Sequence, residues 1–221
     1  MKNLITRIAT GITLISALFY LFFCAKPIVT SLSFIAILFY IIIFEFTKLF
    51  DYKKLIFWLI LPFYPILPFI LLSYMSYYFN YRILVFYMLI LTFSQDVGGY
   101  IFGSLFGKNK LAAKLSPKKS WEGFFGGYIF VIITLITILF LEKSNITIRL
   151  TPFILTFSLA ISIFSTSGDL LESWLKRNAG IKDTGNILPG HGGFLDRFDS
   201  SLLIIFIFFI FKDCLLKIFN I

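Results

Sequence analysis

A chain of 221 residues that is 59% hydrophobic and 20% aromatic, with a mean hydropathy of +0.93, lies well above the roughly 45–50% apolar usage of soluble domains. That excludes an ordinary soluble domain and leaves an integral membrane protein. The formal charge of +9 would suit nucleic acid, but the bases are divided among loops between apolar runs. They are assigned instead to anionic membrane lipid and to membrane orientation, with no nucleic-acid partner.

Seven hydrophobic segments follow one another at about 5–25, 29–47, 55–74, 83–106, 124–141, 152–168 and 200–217, each near the roughly 17–25 residues that span a bilayer. They predict an all-α fold, a polytopic transmembrane helical bundle of about seven helices forming a single membrane domain over 1–221. Residues 1–93 supply N-terminal transmembrane helices, 94–200 a catalytic portion with two motif loops, and 201–221 the last helix and tail. Lys2 and Arg7 precede the first run as in a signal peptide. The stretch Phe22-Phe23-Cys24-Ala25-Lys26-Pro27 has no A-x-A-like exit, so an uncleaved anchor is expected. Pro62, Pro65 and Pro68 interrupt the third run, as a bundle tolerates. Cys24 and Cys214 lack metal-ligand spacing and predict no disulfide framework.

Charge gives the orientation. With the N-terminus in the cytoplasm, 14 of the 20 Lys and Arg residues fall on the cytoplasmic side, which places the C-terminus opposite and both motif loops toward cytoplasmic nucleotides. Of the 11 acids, Asp96, Glu122, Asp169, Glu172, Asp183, Asp196 and Asp199 lie in or beside those two loops. Several sit against apolar sequence, where an uncompensated carboxylate is costly. Acids and bases at one helix mouth point to a divalent metal with a polyphosphate.

In the first loop, Asp96-Val-Gly-Gly is followed by Ser116-Pro-Lys118-Lys119-Ser120-Trp-Glu122-Gly123 and by Gly126-Gly127. Lys118, Lys119, Ser116 and Ser120 suit phosphate; positive-inside topology accounts equally for the lysines, and helix packing for Gly126-Gly127. No Walker A pattern occurs. In the second loop, Asp169, Glu172, Ser173, Lys176 and Arg177 share one helical face, which reads either as ligands and phosphate donors or as a salt-bridged helix end. Lys182-Asp183 and Pro189-Gly190-His191-Gly192-Gly193 tip the balance, because a glycine turn lets backbone amides approach an anion. His191 reads as a phosphate or substrate donor, with loop support as the other reading, and a lone histidine argues against a zinc site. Asp196 and Asp199, one turn apart, suit Mg²⁺ ligation or the holding of Arg197.

The ordered set Ser173-Trp-Leu-Lys176-Arg177, Lys182-Asp183, Gly185, Pro189-Gly-His191-Gly192-Gly193 and Asp196-Arg197-Phe-Asp199 resembles the signature of the phosphatidate cytidylyltransferase (CDP-diacylglycerol synthase) family, with no departure at a fixed position. The resemblance covers roughly residues 94 to 200. It implies that CTP and phosphatidic acid give CDP-diacylglycerol and pyrophosphate. It implies Mg²⁺, with a second metal ion in a two-metal arrangement, held by Asp169 and Asp196. Lys176, Arg177, Lys182 and Arg197 would hold phosphates, and Ser173, Asp183, His191 and Asp199 would orient them. Asp96, Ser116, Lys118, Lys119, Ser120, Glu122, Gly192 and Gly193 would complete substrate binding. A homodimer in the cytoplasmic (inner) membrane, with its active site facing the cytoplasm, is also implied. A CTP-dependent kinase or transferase acting on a polyprenyl alcohol or ether lipid, and an ion-coupled transporter, stand as alternatives.

Overall fold

The structure, a computed structural model, describes residues 2–143 and 151–221. Arg149, which the charge count puts among the six bases on the side opposite the cytoplasm, lies outside the described residues. Long apolar runs can satisfy their backbone groups in lipid only within a helix, and helices dominate. They are α1 (Lys2–Phe19), α2 (Pro27–Tyr40), α3 (Thr47–Leu49), α4 (Leu55–Ile60), α5 (Leu67–Tyr77), α6 (Phe79–Phe106), α7 (Trp121–Leu141), α8 (Thr151–Asn178), α9 (Leu195–Phe198), α10 (Ser201–Ile210) and α11 (Lys212–Phe219). Short π-helical stretches, Tyr20–Cys24, Ile41–Phe46 and Pro62–Ile66, extend α1, join α2 to α3 and join α4 to α5.

Among the described residues six helical spans are long and apolar enough to cross a membrane: Thr6–Cys24, Pro27–Leu49, Leu55–Tyr77, Phe79–Phe106, Trp121–Leu141 and Thr151–Asn178. The protein is therefore an all-α, multi-pass membrane protein. The seventh expected segment differs. It breaks at Phe211 (φ −99°, ψ 11°) into α10 and α11, and ten residues of α10 rise only about 15 Å against a hydrocarbon core of about 30 Å. The physical reason lies in SLLIIFIFFI, which is apolar all round. Such a helix belongs inside a bundle, and α10 packs against α5, α6 and α8 with Leu202, Ile204, Ile205 and Phe208 buried.

The second departure is a two-stranded antiparallel ribbon, β1 (Lys110–Ala112) and β2 (Ser116–Ser120), pairing Lys110 with Ser120 and Ala112 with Ser116. It connects α6 to α7, the most extensively packed helix pair of the described residues. The packing is close because of glycine: a Cβ on Gly98 would lie 2.8 Å from the Gly126 carbonyl oxygen, so small residues set the helix separation. Ser120 ends the ribbon and caps α7, its Oγ accepting from the Gly123 N–H at 3.1 Å. An N-cap of this kind satisfies one of the orphan donors of the first turn.

Candidate active site

Ribbon and glycine contacts bring the middle of α6 and the start of α7 beside α8 and the α9–α10 junction. Between them lies a cavity of about 510 Å³, within the range of small-molecule sites. Asp96, Ser116, Lys118, Lys119 and Ser120 line one wall, and Asp169, Asp196, Arg197 and Asp199 the other. Both motif loops thus face one space.

Among the described residues one ion pair spans the two walls. Lys119 Nζ lies 2.5 Å from Asp169 Oδ2, with the side chains 25% and 28% exposed. Pairs this accessible contribute about 0.2–1 kcal/mol, so an incoming anion can compete for the lysine. Ser173 steadies the acid by donating to Asp169 Oδ1 at 3.2 Å. Gly168 precedes it for lack of room: a Cβ there would sit 2.5 Å from the Asp199 carbonyl oxygen.

Asp196 is held differently. Its Oδ1 accepts from Lys176 Nζ at 2.9 Å, and its Oδ2 from the N–H groups of Thr184 (2.9 Å) and Gly193 (2.8 Å). Burial alone would raise its pKa, but the lysine and the two amides outweigh burial and hold the carboxyl below the ordinary carboxylate range. Asp199 goes the other way, pushed up first by burial and then by the charge of Asp169. Behind them Glu172 is fully buried, its Oε1 3.4 Å from Lys176 Nζ.

The remaining predicted residues stand back from the cavity wall. Lys176, Gly193 and Ser173 act one contact away, through Asp196 or Asp169. Gly190 (φ +77°) and Gly192 (φ +84°) occupy left-handed backbone, and a Cβ on Gly192 would meet Asp196 Oδ2 at 2.6 Å; glycine is required by the turn itself. His191 belongs to that turn, with Nδ1 buried and without a hydrogen-bond partner. Lys182 and Asp183 are exposed on the connecting loop. Arg177 donates to the Ile181 carbonyl at 3.4 Å, and Glu122 accepts from the backbone N–H and Nδ2 of Asn109. Two residues outside the predicted set hold the second loop, Thr184 and Glu45. The signal for Glu45 was present in Ile41-Ile-Ile-Phe-Glu45-Phe46, a carboxylate alone in an apolar run.

Among the described residues no group of three or more His, Cys, Asp and Glu is gathered to hold a metal ion. The two acids assigned to metal from the sequence both line the cavity and differ in their partners: the oxygens of Asp196 are held by buried Lys176 and the loop amides, those of Asp169 by the more accessible Lys119 and by Ser173, with Asp96 and Asp199 lining the same space. Hard carboxylate oxygens facing one space, with Asp169 repelling Asp199, fit a divalent cation of the Mg²⁺ type. Such an ion takes one or two carboxylates and completes its shell from substrate phosphates and water.

These features define a class: a multi-pass membrane protein with an acid-and-base-lined cavity between its helices. The pattern of the cytidylyltransferase family matches residues 2–215, and the chain belongs to that family. It is similar to proteins named phosphatidate cytidylyltransferase from Staphylococcus haemolyticus (46% identical over 121 residues, 55% of this chain and 45% of that protein) and Staphylococcus aureus (40% over 121 residues, with the same coverage). A protein of the same name from Haemophilus influenzae is 46% identical over 121 residues, 53% of this chain and 41% of that protein. The matches thus span somewhat under half the length of these curated relatives.

Proposed function

We propose that the chain transfers the cytidylyl group of CTP to phosphatidate, giving CDP-diacylglycerol and pyrophosphate. The observation that carries this reading is the single cavity shared by Lys118, Lys119 and Arg197 with Asp96, Asp169 and Asp199, in a chain whose relatives bear the name phosphatidate cytidylyltransferase.

The chemistry asks little of a general base. Phosphatidate is a phosphate monoester whose second pKa lies near 6, by analogy with phosphorylated side chains, so its attacking oxygen is ionised at neutral pH. That oxygen bonds to the α-phosphorus of CTP while the bond from the α-phosphorus to the bridging oxygen of the β-phosphate breaks, and pyrophosphate leaves with the electron pair. The protein aligns the reactants and neutralises developing charge. Lys118, Lys119 and Arg197 are the cavity cations placed for this, and the triphosphate takes Lys119 from Asp169. Mg²⁺ would be held by Asp169 together with Asp96 or Asp199, and its chemistry is to offset charge on the nucleotide phosphates. Apolar Phe93, Val97, Leu111 and Phe124 share the lining, so a headgroup can enter while its acyl chains stay in lipid.

The positive-inside charge bias supports placing this site on the cytoplasmic face of a bacterial inner membrane, and a homodimer belongs to the same proposal through the resemblance. The test is turnover by the purified chain with labelled CTP and either phosphatidate or a polyprenyl alcohol. CDP-diacylglycerol formed from phosphatidate in the presence of Mg²⁺ is expected. Turnover confined to the polyprenyl acceptor would refute the substrate assignment.

A further inference from the structure

Outside the cavity wall, Glu45 is a fully engaged acid, 0% exposed in the π-helical stretch that prolongs α2. Its Oε1 accepts from the Phe194 N–H at 2.8 Å, and its Oε2 from the Leu195 N–H at 2.7 Å and the Thr184 hydroxyl at 3.3 Å. All three donors come from 139 to 150 residues further along the chain. No lysine or arginine pairs with it among the described residues. A buried carboxylate is costly unless hydrogen-bonded, and here the compensation comes from one loop.

That loop carries the cavity. Phe194 and Leu195 lead into α9, whose next residues are Asp196 and Arg197, both on the cavity wall. Thr184 serves twice, its hydroxyl on Glu45 and its N–H on Asp196. The loop glycines also answer to Glu45: a Cβ on Gly185 would lie 2.9 Å, and one on Gly193 2.5 Å, from Glu45 Oε1. Two of the motif glycines are therefore small because an acid from the second span occupies the space beside them.

We infer that Glu45 is a positioning residue for the proposed nucleotidyl transfer, a clamp that fixes the Thr184–Leu195 loop and so sets Asp196 and Arg197 against the nucleotide phosphates. This rests on the functional reading above for its kinetic part and on geometry alone for its anchoring part. Replacement by glutamine keeps the shape but turns one acceptor oxygen into an NH₂ that faces N–H donors. Replacement of Thr184 by valine removes only the hydroxyl contact and is the milder probe.

The experiment compares wild-type protein with Glu45→Gln, Thr184→Val and the double variant, all full-length in detergent, by hydrogen exchange of the 184–195 amides and by steady-state kinetics with CTP and phosphatidate. Glu45→Gln should speed exchange in that segment at least tenfold while α7 amides exchange as in wild type, and should raise KM for CTP at least threefold as kcat falls. The double variant should be no worse than Glu45→Gln alone, because both act through one contact. Loss of folded protein alone would lower kcat and leave both KM values in place. Unchanged exchange at 184–195, or exchange raised across the whole chain, would overturn the anchoring role. Localised exchange with an unchanged KM for CTP would overturn the positioning role. Wild-type protein with no CTP-to-lipid turnover would instead sink the functional reading, and the exchange data would still decide the clamp.

Discussion

Asp196→Asn separates the two acids that look equivalent in the sequence. Asparagine preserves volume, and its carbonyl oxygen can still accept from Thr184 and Gly193, but its NH₂ then points at Lys176 Nζ, now 2.9 Å from the Asp196 oxygen. The side chains of this pair are only 12% and 2% exposed. Removing one partner of a buried pair costs about 3–5 kcal/mol, and Glu172 at 3.4 Å from the lysine keeps the cost near the lower end, about 3 kcal/mol. At about 1.4 kcal/mol per decade, the loop-opening equilibrium shifts roughly 100-fold. Asp169→Asn breaks a pair some 25–28% exposed, worth at most about 1 kcal/mol, or roughly fivefold. Hydrogen exchange of the 182–194 amides in detergent reads the first, whereas the Lys119–Asp169 pair joins β2 to α8, outside that segment. Both variants are expected to lose CDP-diacylglycerol synthesis, and only Asp196→Asn to loosen the loop. Equal exchange in the two variants would refute the assignment of Asp196 as a loop anchor.

Further outcomes are expected. The stabilisation from Asp196, whose carboxyl is held below the ordinary range, is complete above its unfolded value of about 3.9 and is lost as pH falls through the lower folded value. Asp199, held above its ordinary value by burial and then by Asp169, destabilises the folded state at neutral pH. Asp199→Asn should therefore raise the melting temperature in metal-free buffer at pH 7, a gain that shrinks on acidification, as a melting series across pH would show. Gly98→Ala should cost about 1–3 kcal/mol by overpacking, because its Cβ would lie 2.8 Å from Phe130 Cβ and from the Gly126 carbonyl. Gly11→Ala, with nothing within 4 Å in α1, should be neutral or stabilising by up to about 1 kcal/mol, and thermal unfolding distinguishes the two. Lys119→Met frees Asp169 and removes a cavity cation, so KM for CTP should rise at least tenfold with little change in melting temperature.

Much of the fold was legible because lipid imposes one rule on every span: twenty or so apolar residues make a helix. At 200–217 the rule found helix but not its break at Phe211. Hydropathy cannot tell a helix bathed in lipid from one wrapped by other helices, and SLLIIFIFFI of α10 is the second kind. The β1–β2 ribbon was hidden in a lysine-rich segment without strand alternation, its pairing set by the ends of α6 and α7. For the site, motif spacing grouped the right loops, and the cavity joins Lys118 and Lys119 to Asp169 and Asp199. It could not show that Asp196 both lines the cavity and anchors the loop, or that Gly192 and His191 build the turn without lining the cavity, because those differences lie in what their atoms touch. Glu45 stood out locally as a lone carboxylate in an apolar run, but its partners, 139 residues or more away, are encoded in no local pattern.

The most direct test of the central claim is a comparison of CTP labelled at the α-phosphate with CTP labelled at the γ-phosphate, each incubated with the purified chain, phosphatidate and Mg²⁺. Cytidylyl transfer predicts α-label in the lipid product and γ-label released as pyrophosphate. Label from the γ-phosphate in lipid, with CDP left in solution, would contradict it and mark a CTP-dependent kinase instead.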